Sequence, residues 1–321
     1  MNNVVITGSI AFDYLMFFSG EFTDHLLEGQ LSKLSVSFLV DSLRRERGGI
    51  AANIAYTMGL LKSRPRIMAT VGEDFGEYRT WLERHGVDTS GIVEVKDIYC
   101  ASFFVNTDDR QNQIGHFYAG AMAHAADLTF ERHAPDASLA VISPNEPAAM
   151  RQYVRECKRL GIDYVYDPSQ QTIRLSGDDL REGIDGCALL TANEYELSMI
   201  QEKTKLQEDE MLALAGGMVI THGEQGSEIR VDGQALQIPA VMPSHVAEPT
   251  GAGDAFRGGL LRGMELGLPW DISGRMGAVA AAYVLENMGT QNHAFTPAEF
   301  VARYRQHFDD EGCLDILLEE G

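Results

Sequence analysis

Strand and helix patterns alternate regularly through the middle of the chain. Short apolar runs occupy 139–142, 163–166, 187–190 and 218–220, and the stretches between them have the length and composition of a helix with its loops. Parallel strands need crossover connections of this kind, so the alternation predicts a mostly parallel sheet with helices on both faces. Ligands of such sheets bind beyond the carboxyl ends of the strands. We therefore expect an α/β fold with its site at that edge.

The same pattern begins at the N-terminus. Val4-Val5-Ile6-Thr7 is a short apolar run followed by Gly8, which is typical of a buried strand that leads into a loop. Gly48 and Gly49 then precede a stretch that is rich in small and apolar residues at helical spacing, as in a helix packed tightly on a sheet. Both elements are expected to belong to the same α/β layer structure.

Two segments depart from this alternation. Residues 14–47 are mixed in polarity, with partial alternation from Leu34 to Val40, and the runs 101–106 and 113–118 flank a polar stretch as in a β-hairpin. Such segments are typical of a peripheral sheet and not of the central layer.

The chain has the size of one large α/β domain or of two smaller ones. Its 321 residues, of which 45% are hydrophobic, can bury a large core. No linker, repeat or low-complexity stretch divides that core. We expect a single domain over residues 1–321, in which roughly 14–47 and 95–120 form a discontinuous β lid.

A glycine-rich turn near the C-terminus indicates an anion site. In Thr250-Gly251-Ala252-Gly253-Asp254 the two glycines can adopt backbone angles closed to other residues and add no side-chain bulk, so successive N–H groups can converge on an anion. The helix expected after this turn adds about half a positive charge at its N-terminus. Asp254 is then placed to accept a proton from a hydroxyl that attacks phosphorus. The alternative is an ordinary helix start with Asp254 as N-cap.

The charge balance excludes one class of function. A formal net charge of −21 argues against a nucleic-acid-binding protein, which needs basic surface to displace counterions from phosphates. It does not exclude a single nucleotide held by backbone amides and Mg²⁺. The four cysteines lie far apart with no CxxC pair, which disfavours structural zinc and fits reduced thiols in the cytoplasm. We expect neither a signal peptide nor a membrane-spanning run.

Three motifs, in chain order, resemble the ribokinase (PfkB) family of sugar and nucleoside kinases. They are Gly48-Gly49-Ile50-Ala51-Ala52-Asn53, Asn193-Glu194-Tyr195-Glu196 and Gly251-Ala252-Gly253-Asp254. The resemblance covers nearly the whole chain and implies a ribokinase-like α/β fold, with a central mostly parallel sheet, helices on both faces and a small β lid. It also implies ATP as phosphoryl donor, Mg²⁺ as cofactor and a site for a monovalent cation such as K⁺.

Further segments resemble the bacterial, ribokinase-like adenosine kinases within that family. These segments are Thr7 to Asp13, Ser37 to Asp41, Asp167 to Gln171, Gly253 to Arg257 and Glu286 to Gln291. The resemblance implies phosphorylation of the 5′-hydroxyl of adenosine, which gives AMP and ADP and serves purine salvage. One alternative is a kinase of the same fold that acts on ribose, fructose, inosine, guanosine or cytidine. Another is a catalytically silent nucleotide-binding regulator.

The resemblance also implies roles for individual residues. Asp254 would be the general base, and the backbone amides of Gly251, Ala252 and Gly253 would hold the transferred phosphoryl group. Glu196 would organise Mg²⁺ through water. The acceptor would be bound by Ser9, Asp13, Ser37, Gly48, Gly49, Asn53, Phe103, Phe117, Gln170 and Gln171. ATP would be bound by Asn193, Thr221, Gly223, Gly226, Asn287 and Gly289.

Taken by themselves, these residue types also have structural explanations. The alternative for Asp13 is an Asx-turn, and for Asn53 it is a buried helix-packing role. The two phenylalanines would be core residues and the two glutamines a solvated loop. Asn193 and Glu196 match a capping box, which is compatible with a metal role. Arg257 would either contact a phosphate or form a surface salt bridge.

The lid segment also bears on assembly. Phe17, Phe18, Phe38 and Leu39 lie in it, and apolar residues on an exposed sheet often pair with a second subunit. We expect a homodimer whose ligands are small molecules, with no nucleic acid and no membrane as partner.

Overall fold

The computed structural model of the protein describes residues 3–25 and 36–319. Its strands are β1 (Val4–Thr7), β2 (Ala11–Phe18), β3 (Ser42–Gly48), β4 (Arg66–Val71), β5 (Ile92–Glu94), β6 (Ala101–Asp108), β7 (Gln113–Tyr118), β8 (Leu139–Ile142), β9 (Asp163–Tyr166), β10 (Leu189–Asn193), β11 (Gly217–Thr221), β12 (Ser227–Val231) and β13 (Gln234–Ile238). Its α-helices are α1 (Ile50–Leu60), α2 (Gly76–Arg84), α3 (Phe130–His133), α4 (Pro147–Leu160), α5 (Gly177–Ile184), α6 (Glu194–Thr204), α7 (Glu208–Leu214), α8 (Ala252–Glu265), α9 (Trp270–Leu285), α10 (Pro297–His307) and α11 (Ile316–Glu319). None of the helices described has the length and hydropathy needed to cross a membrane.

The larger sheet contains nine of the described strands in the order β13-β12-β11-β10-β9-β8-β1-β4-β5. Every neighbouring pair from β11 to β5 is parallel. β12 and β13 add an antiparallel edge that the sequence pattern did not indicate. The mostly parallel sheet predicted from the strand and helix alternation is therefore confirmed.

Side chains of the central strands alternate between two cores. In β1, Val4 and Ile6 belong to one buried cluster and Val5 to the other. Because successive residues of a strand point to opposite faces, a strand is apolar at every position only where both faces are covered. Helices α1, α8, α9 and α10 cover one face, and α4, α5, α6 and α7 cover the other.

The smaller sheet, called the lid sheet below, has the strand order β3-β2-β6-β7. β6 and β7 form the expected hairpin, in which Phe103 lies directly opposite Phe117. β2 is antiparallel to β3 and parallel to β6. A small β layer beside the main sheet is thus confirmed.

One strand of the lid sheet lies elsewhere than the sequence pattern indicated. Residues 36–40 have no regular secondary structure, and 34–35 fall outside the described residues. The edge strand is instead β3, whose sequence is Ser-Leu-Arg-Arg-Glu-Arg-Gly and whose first four residues are exposed. An exposed edge strand does not need apolar residues at every second position. The charged side chains of β3 therefore gave no strand pattern in the sequence.

Two of the lid phenylalanines are less exposed than a contact with a second subunit would need. Phe18 is buried, and its ring centroid lies 5.8 Å from that of Phe22 and 5.1 Å from that of Phe38. Phe18 and Phe38 therefore pack within the subunit. Leu39, in contrast, is 88% exposed.

Candidate active site

A cleft of about 570 Å³ opens at the carboxyl ends of the parallel strands, between the lid sheet and the N-termini of α1 and α8. This is the edge at which the sequence placed the site. Many of the residues assigned from the sequence line it together: Ser9, Asp13, Gly49, Asn53, Phe103, Phe117, Gln170, Gln171, Asn193, Glu196, Thr221, Gly251, Gly253 and Asp254.

The other residues assigned from the sequence do not line this cleft, and their roles stay predictions. They are Ser37, Gly48, Gly223, Gly226, Ala252, Asn287 and Gly289. Ser37 is exposed in the irregular segment before β3. Gly48 ends β3, where a Cβ would collide with the carboxylate of Asp13, so its lack of a side chain leaves room for that group.

Asp254 is buried in the first turn of α8. Gly251 precedes the helix with φ of 85°, which residues with a side chain rarely adopt, and the first N–H groups of a helix have no partner within it. Asn53 Nδ2 donates to Asp254 Oδ2 at 2.8 Å, and Arg257 Nη1 lies 3.4 Å from Oδ1. Burial raises the pKa of Asp254, while Arg257 and Asn53 oppose that rise. The result is a carboxyl group suited to accept a proton, beside the N-terminus of a helix.

The amide of Asn53 is held at both ends. Its Oδ1 accepts a hydrogen bond from Gln291 Nε2 at 2.9 Å, and the Thr290 hydroxyl lies 2.9 Å from the same oxygen. Because the oxygen is engaged, the NH₂ group is directed at Asp254. The structure thus gives Asn53 a contact with the carboxylate that the sequence did not indicate.

Arg257 bridges two buried carboxylates. Its Nη2 lies 2.8 Å from Oδ1 of Asp167, which follows β9 and has no exposed surface. Burial raises the pKa of Asp167 to about 6, against the lowering effect of Arg257. The sequence left open whether Arg257 contacts a phosphate or forms a surface salt bridge. In the structure it forms salt bridges, and its partners are the buried carboxylates of Asp167 and Asp254. Sequence reasoning gave Asp167 no role, although an acid directly after a buried strand was an available signal.

Asn193 and Glu196 form the capping box at the start of α6. Glu196 N–H donates to Asn193 Oδ1 at 2.8 Å, and Asn193 N–H donates to Glu196 Oε2 at 2.9 Å. The Ser169 hydroxyl donates to the other carboxylate oxygen of Glu196 at 3.1 Å. This cap fixes a buried carboxylate in the wall of the cleft.

Asp13 differs from the other acids of the cleft, because its carboxylate accepts no hydrogen bond from any residue that the structure describes. Burial, followed by the charges of Glu248, Asp254 and Glu46, raises its pKa to about 6. A half-buried carboxylate of this kind favours a ligand that brings its own donors, such as the two hydroxyls of a diol.

Ser9 completes the N-terminus of α1. Its hydroxyl accepts a hydrogen bond from Ile50 N–H at 3.2 Å, a capping contact that Gly49 has no side chain to make. A Cβ at Gly49 would lie 2.6 Å from the Ser9 carbonyl oxygen, so only glycine allows this approach. Ser9 therefore supports the helix that carries Asn53, whether or not it also contacts a ligand.

Two aromatic rings and two amides from different parts of the fold line the cleft. Phe103 and Phe117 are 36% and 55% exposed, which is unusual for phenylalanine. Gln170 and Gln171 line the same cleft from the turn after β9. The Oε1 atom of Gln171 is buried and has no hydrogen-bond partner among the described residues. These groups can offer stacking and hydrogen bonding to a planar heterocycle.

The parallel sheet, the lid sheet and the buried carboxyl at a glycine-started helix define a phosphotransferase of the ribokinase-like fold. The family model for PfkB carbohydrate kinases matches residues 1–297. The chain belongs to the PfkB family of carbohydrate kinases, as the three sequence motifs indicated.

Named relatives and solved structures agree with this assignment. The chain is 30% identical to a nucleoside kinase of Methanothermobacter thermautotrophicus over 306 residues, which cover 94% of this chain and 95% of that protein. A Burkholderia thailandensis nucleoside kinase in complex with inosine superposes with a TM-score of 0.85 at 36% identity, covering 95% of this chain and 98% of that chain. A ribokinase of Thermotoga maritima, at 17% identity, has a TM-score of 0.80 over 96% of this chain and 100% of its own, and supports the fold alone.

Proposed function

We propose that the protein transfers the γ-phosphoryl group of ATP to the 5′-hydroxyl of a purine nucleoside, with adenosine as the acceptor. The observation that carries this proposal is the presence of two different carboxylates in one cleft: Asp254 at the N-terminus of α8, and Asp13, to which no described residue donates a hydrogen bond. A base and a diol-binding group together suit a ribose whose 5′-hydroxyl is directed at the base. The relatives named nucleoside kinase support the same class of acceptor.

Asp254 takes the proton of the 5′-hydroxyl as the hydroxyl oxygen bonds to the γ-phosphorus, while the bond from that phosphorus to the bridging oxygen breaks and ADP leaves. Phosphoryl transfer has a loose transition state, so the protein acts mainly by positioning and charge stabilisation. The amides of Gly251, Ala252 and Gly253 stabilise the phosphoryl oxygens, and Asn53 and Arg257 fix the carboxylate against which the hydroxyl is oriented. In this scheme the same turn binds the anion and orients the base.

ATP occupies the part of the cleft formed by the carboxyl ends of β10 and β11, with Asn193 and Thr221 in its wall. Among the residues described, no three His, Cys, Asp or Glu side chains could together hold a metal ion. A site of this kind suits a Mg²⁺ ion held mostly by phosphate oxygens and water, with the Glu196 carboxylate hydrogen-bonded to one of those waters. Mg²⁺ bound there would neutralise phosphate charge.

The nucleoside base lies between the phenylalanines and the glutamines. Stacking on Phe103 and Phe117 favours a nucleoside over a bare sugar, by about 1–3 kcal/mol per stacked base. Adenine offers a donor and an acceptor on its Watson–Crick edge, and a glutamine amide can meet both. Hypoxanthine offers the reverse order, which the same amide meets after rotation. Inosine is therefore the second candidate, supported by the inosine complex of the Burkholderia relative.

We also propose that the protein is a homodimer formed through the lid sheet. Among the described residues, no further strand pairs with the outer strands β3 and β7 of that sheet, and Leu43, Phe104 and Ile114 are exposed on it. Size-exclusion chromatography with light scattering tests this: a mass of one subunit at micromolar concentration would contradict it.

A panel of acceptors tests the function. Release of ADP from ATP and Mg²⁺ is measured with adenosine, inosine, guanosine, cytidine, ribose and fructose, each with and without K⁺. We expect kcat/KM for adenosine to exceed that for either free sugar by at least about fivefold, the lower end of the free energy of base stacking. Turnover of a sugar with none of any nucleoside would contradict the acceptor, and ATP binding without ADP release would contradict the enzyme.

A further inference from the structure

We propose that a depression at the C-terminal end of α1 binds a small phosphate-bearing anion. This basic depression has a volume of about 1080 Å³ and shares no lining residue with the active-site cleft. It lies between the ends of α1 and α2 and the start of α10. Since α1 has 11 residues, its two ends are about 15 Å apart. The cleft is at the N-terminal end of α1, so the depression is a separate site.

Four cationic side chains line the basic depression: Lys62, Arg64, Arg79 and Arg84. None of the four has an acidic partner within 4 Å among the residues that the structure describes. Elsewhere on this acidic chain arginines are commonly paired, as in the contact of Arg155 with Glu182 at 2.7 Å. Unpaired cations gathered around one concavity form a local positive field that attracts anions.

The acids of the basic depression are already engaged. Asp88 Oδ2 lies 3.0 Å from Arg66 Nε, and Glu83 Oε1 accepts a hydrogen bond from the Thr89 hydroxyl at 2.6 Å. Two acids against four cations leave an excess of two positive charges in the lining, with His85 counted as neutral. A ligand with two or more negative charges would balance this excess.

One of the four cations is held in place before any ligand arrives. The Arg79 guanidinium lies 3.2 Å from the Thr89 hydroxyl and 5.1 Å from the centre of the Phe75 ring. A fixed guanidinium loses little freedom when it binds, and its planar fork matches phosphate geometry. The volume exceeds that of a single ion and is of the size that small-molecule ligands occupy. These properties favour a phosphate ester or a condensed phosphate.

Two of these cations also have a structural role that does not involve a ligand. Lys62 follows α1 and Arg84 lies in the last turn of α2, where positive charge is favourable near a helix C-terminus. Lys62 also has a left-handed backbone with φ of 63°. Glycine is the residue that such a position prefers, so Lys62→Gly removes the charge without strain.

The chain offers a matched control. Lys205 follows α6, has φ of 60°, is exposed and has no acidic partner among the described residues. Lys205→Gly therefore makes the same change of charge, side chain and backbone preference at a distant helix end. Calorimetric titration of the full chain with inorganic pyrophosphate compares the two variants with the parent. We expect about tenfold weaker binding at the depression for Lys62→Gly and parent-like binding for Lys205→Gly.

Pyrophosphate can also bind at the amides of α8, so the location needs its own measurement. At a pyrophosphate concentration near the Kd of the parent, hydrogen–deuterium exchange should slow at residues 59–64 and 84–90 in the parent and in Lys205→Gly, and much less in Lys62→Gly. A second titration with AMP distinguishes an ester from a condensed phosphate, and protection by either supports the proposal. Equal affinity of the two variants, protection confined to 250–257, or binding of RNA but of neither small anion would overturn it.

Discussion

The Nη2 atom of Arg257 lies 2.8 Å from Oδ1 of Asp167, a carboxylate with no exposure to solvent. The same guanidinium lies 3.4 Å from Asp254. One cation is therefore shared by two buried acids, and for both of them it acts against the rise in pKa that burial causes. The protonation state of Asp254 thus depends on a side chain one helical turn away.

Replacement of Arg257 by Met should affect both activity and stability. The variant leaves two carboxylates buried without their cation, which costs about 3–5 kcal/mol of unfolding free energy. The pKa of Asp254 rises further, so the acid limb of the kcat/KM profile moves to higher pH. Urea unfolding and pH-rate profiles measure these effects. Arg110→Met, at an exposed pair with Glu21, is the control, and an unmoved acid limb would contradict the role.

Asp254→Asn should separate binding from turnover. Asparagine keeps the shape of the side chain but cannot take the proton of the acceptor hydroxyl, so kcat should fall by about 10²–10⁴-fold. The Kd for the nucleoside, measured by calorimetry, should stay within a few-fold of the parent value, because Asp13 and the residues proposed to bind the purine ring are intact. Near-parental turnover would rule out Asp254 as the base.

Asp13→Asn should stabilise the protein and weaken acceptor binding. Because the pKa of Asp13 is raised to about 6 in the fold, its ionised form opposes folding above that pH. The parent recovers this stability as pH falls from about 6 to 4, where the carboxyl is protonated. The variant should therefore be more stable by about 2–3 kcal/mol at pH 7 and not at pH 4.

Two measurements check the Asp13 prediction. Urea unfolding of both proteins at pH 4 and pH 7 gives the difference in stability, and a constant difference across this range would count against the pKa assignment. Steady-state kinetics give the second effect: KM for the nucleoside should rise by about tenfold or more, because a charged acceptor of diol hydrogen bonds is lost.

Phe117→Ala should raise KM for the nucleoside by between about fivefold and a hundredfold, which corresponds to the loss of one stacked base. Phe104→Ala is a matched control, since Phe104 lies on the same lid sheet but stacks on Tyr14 at 4.7 Å and does not line the cleft. Steady-state kinetics with adenosine and inosine measure both variants. Equal effects of the two changes would show that Phe117 acts only through the stability of the lid sheet.

The main sheet could be predicted because its strands are buried on both faces. Such strands have an apolar residue at every position, as in Val4 to Ile6. This pattern can be recognised in the sequence even when the neighbouring strands are not known. β3 could not be predicted in the same way, because an exposed edge strand with Arg44, Arg45 and Arg47 has no apolar period. Phe18 and Phe38 were misjudged since their ring contacts join distant parts of the lid.

The parts of the candidate site that are formed by short sequence motifs could be predicted. The turn before Asp254 and the cap formed by Asn193 and Glu196 are short-range features, and both appear in the structure. The contact of Asn53 with Gln291 spans 238 residues, and pairing across such a separation leaves no pattern in a single sequence. The same holds for Asp167 and Arg257, whose salt bridge joins the loop after β9 to the first turns of α8.

Asn53 has a consequence for how the enzyme is made. It joins Asp254, 201 residues later, to Gln291, 238 residues later. During synthesis the N-terminal residues leave the ribosome first, so all of the described strands, the last of which ends at Ile238, are synthesised well before Gln291. A nascent chain therefore contains every described strand of both sheets before it contains the glutamine that holds the Asn53 amide. The orientation of the Asp254 carboxylate thus depends on a contact that forms only after the strands of both sheets have been synthesised.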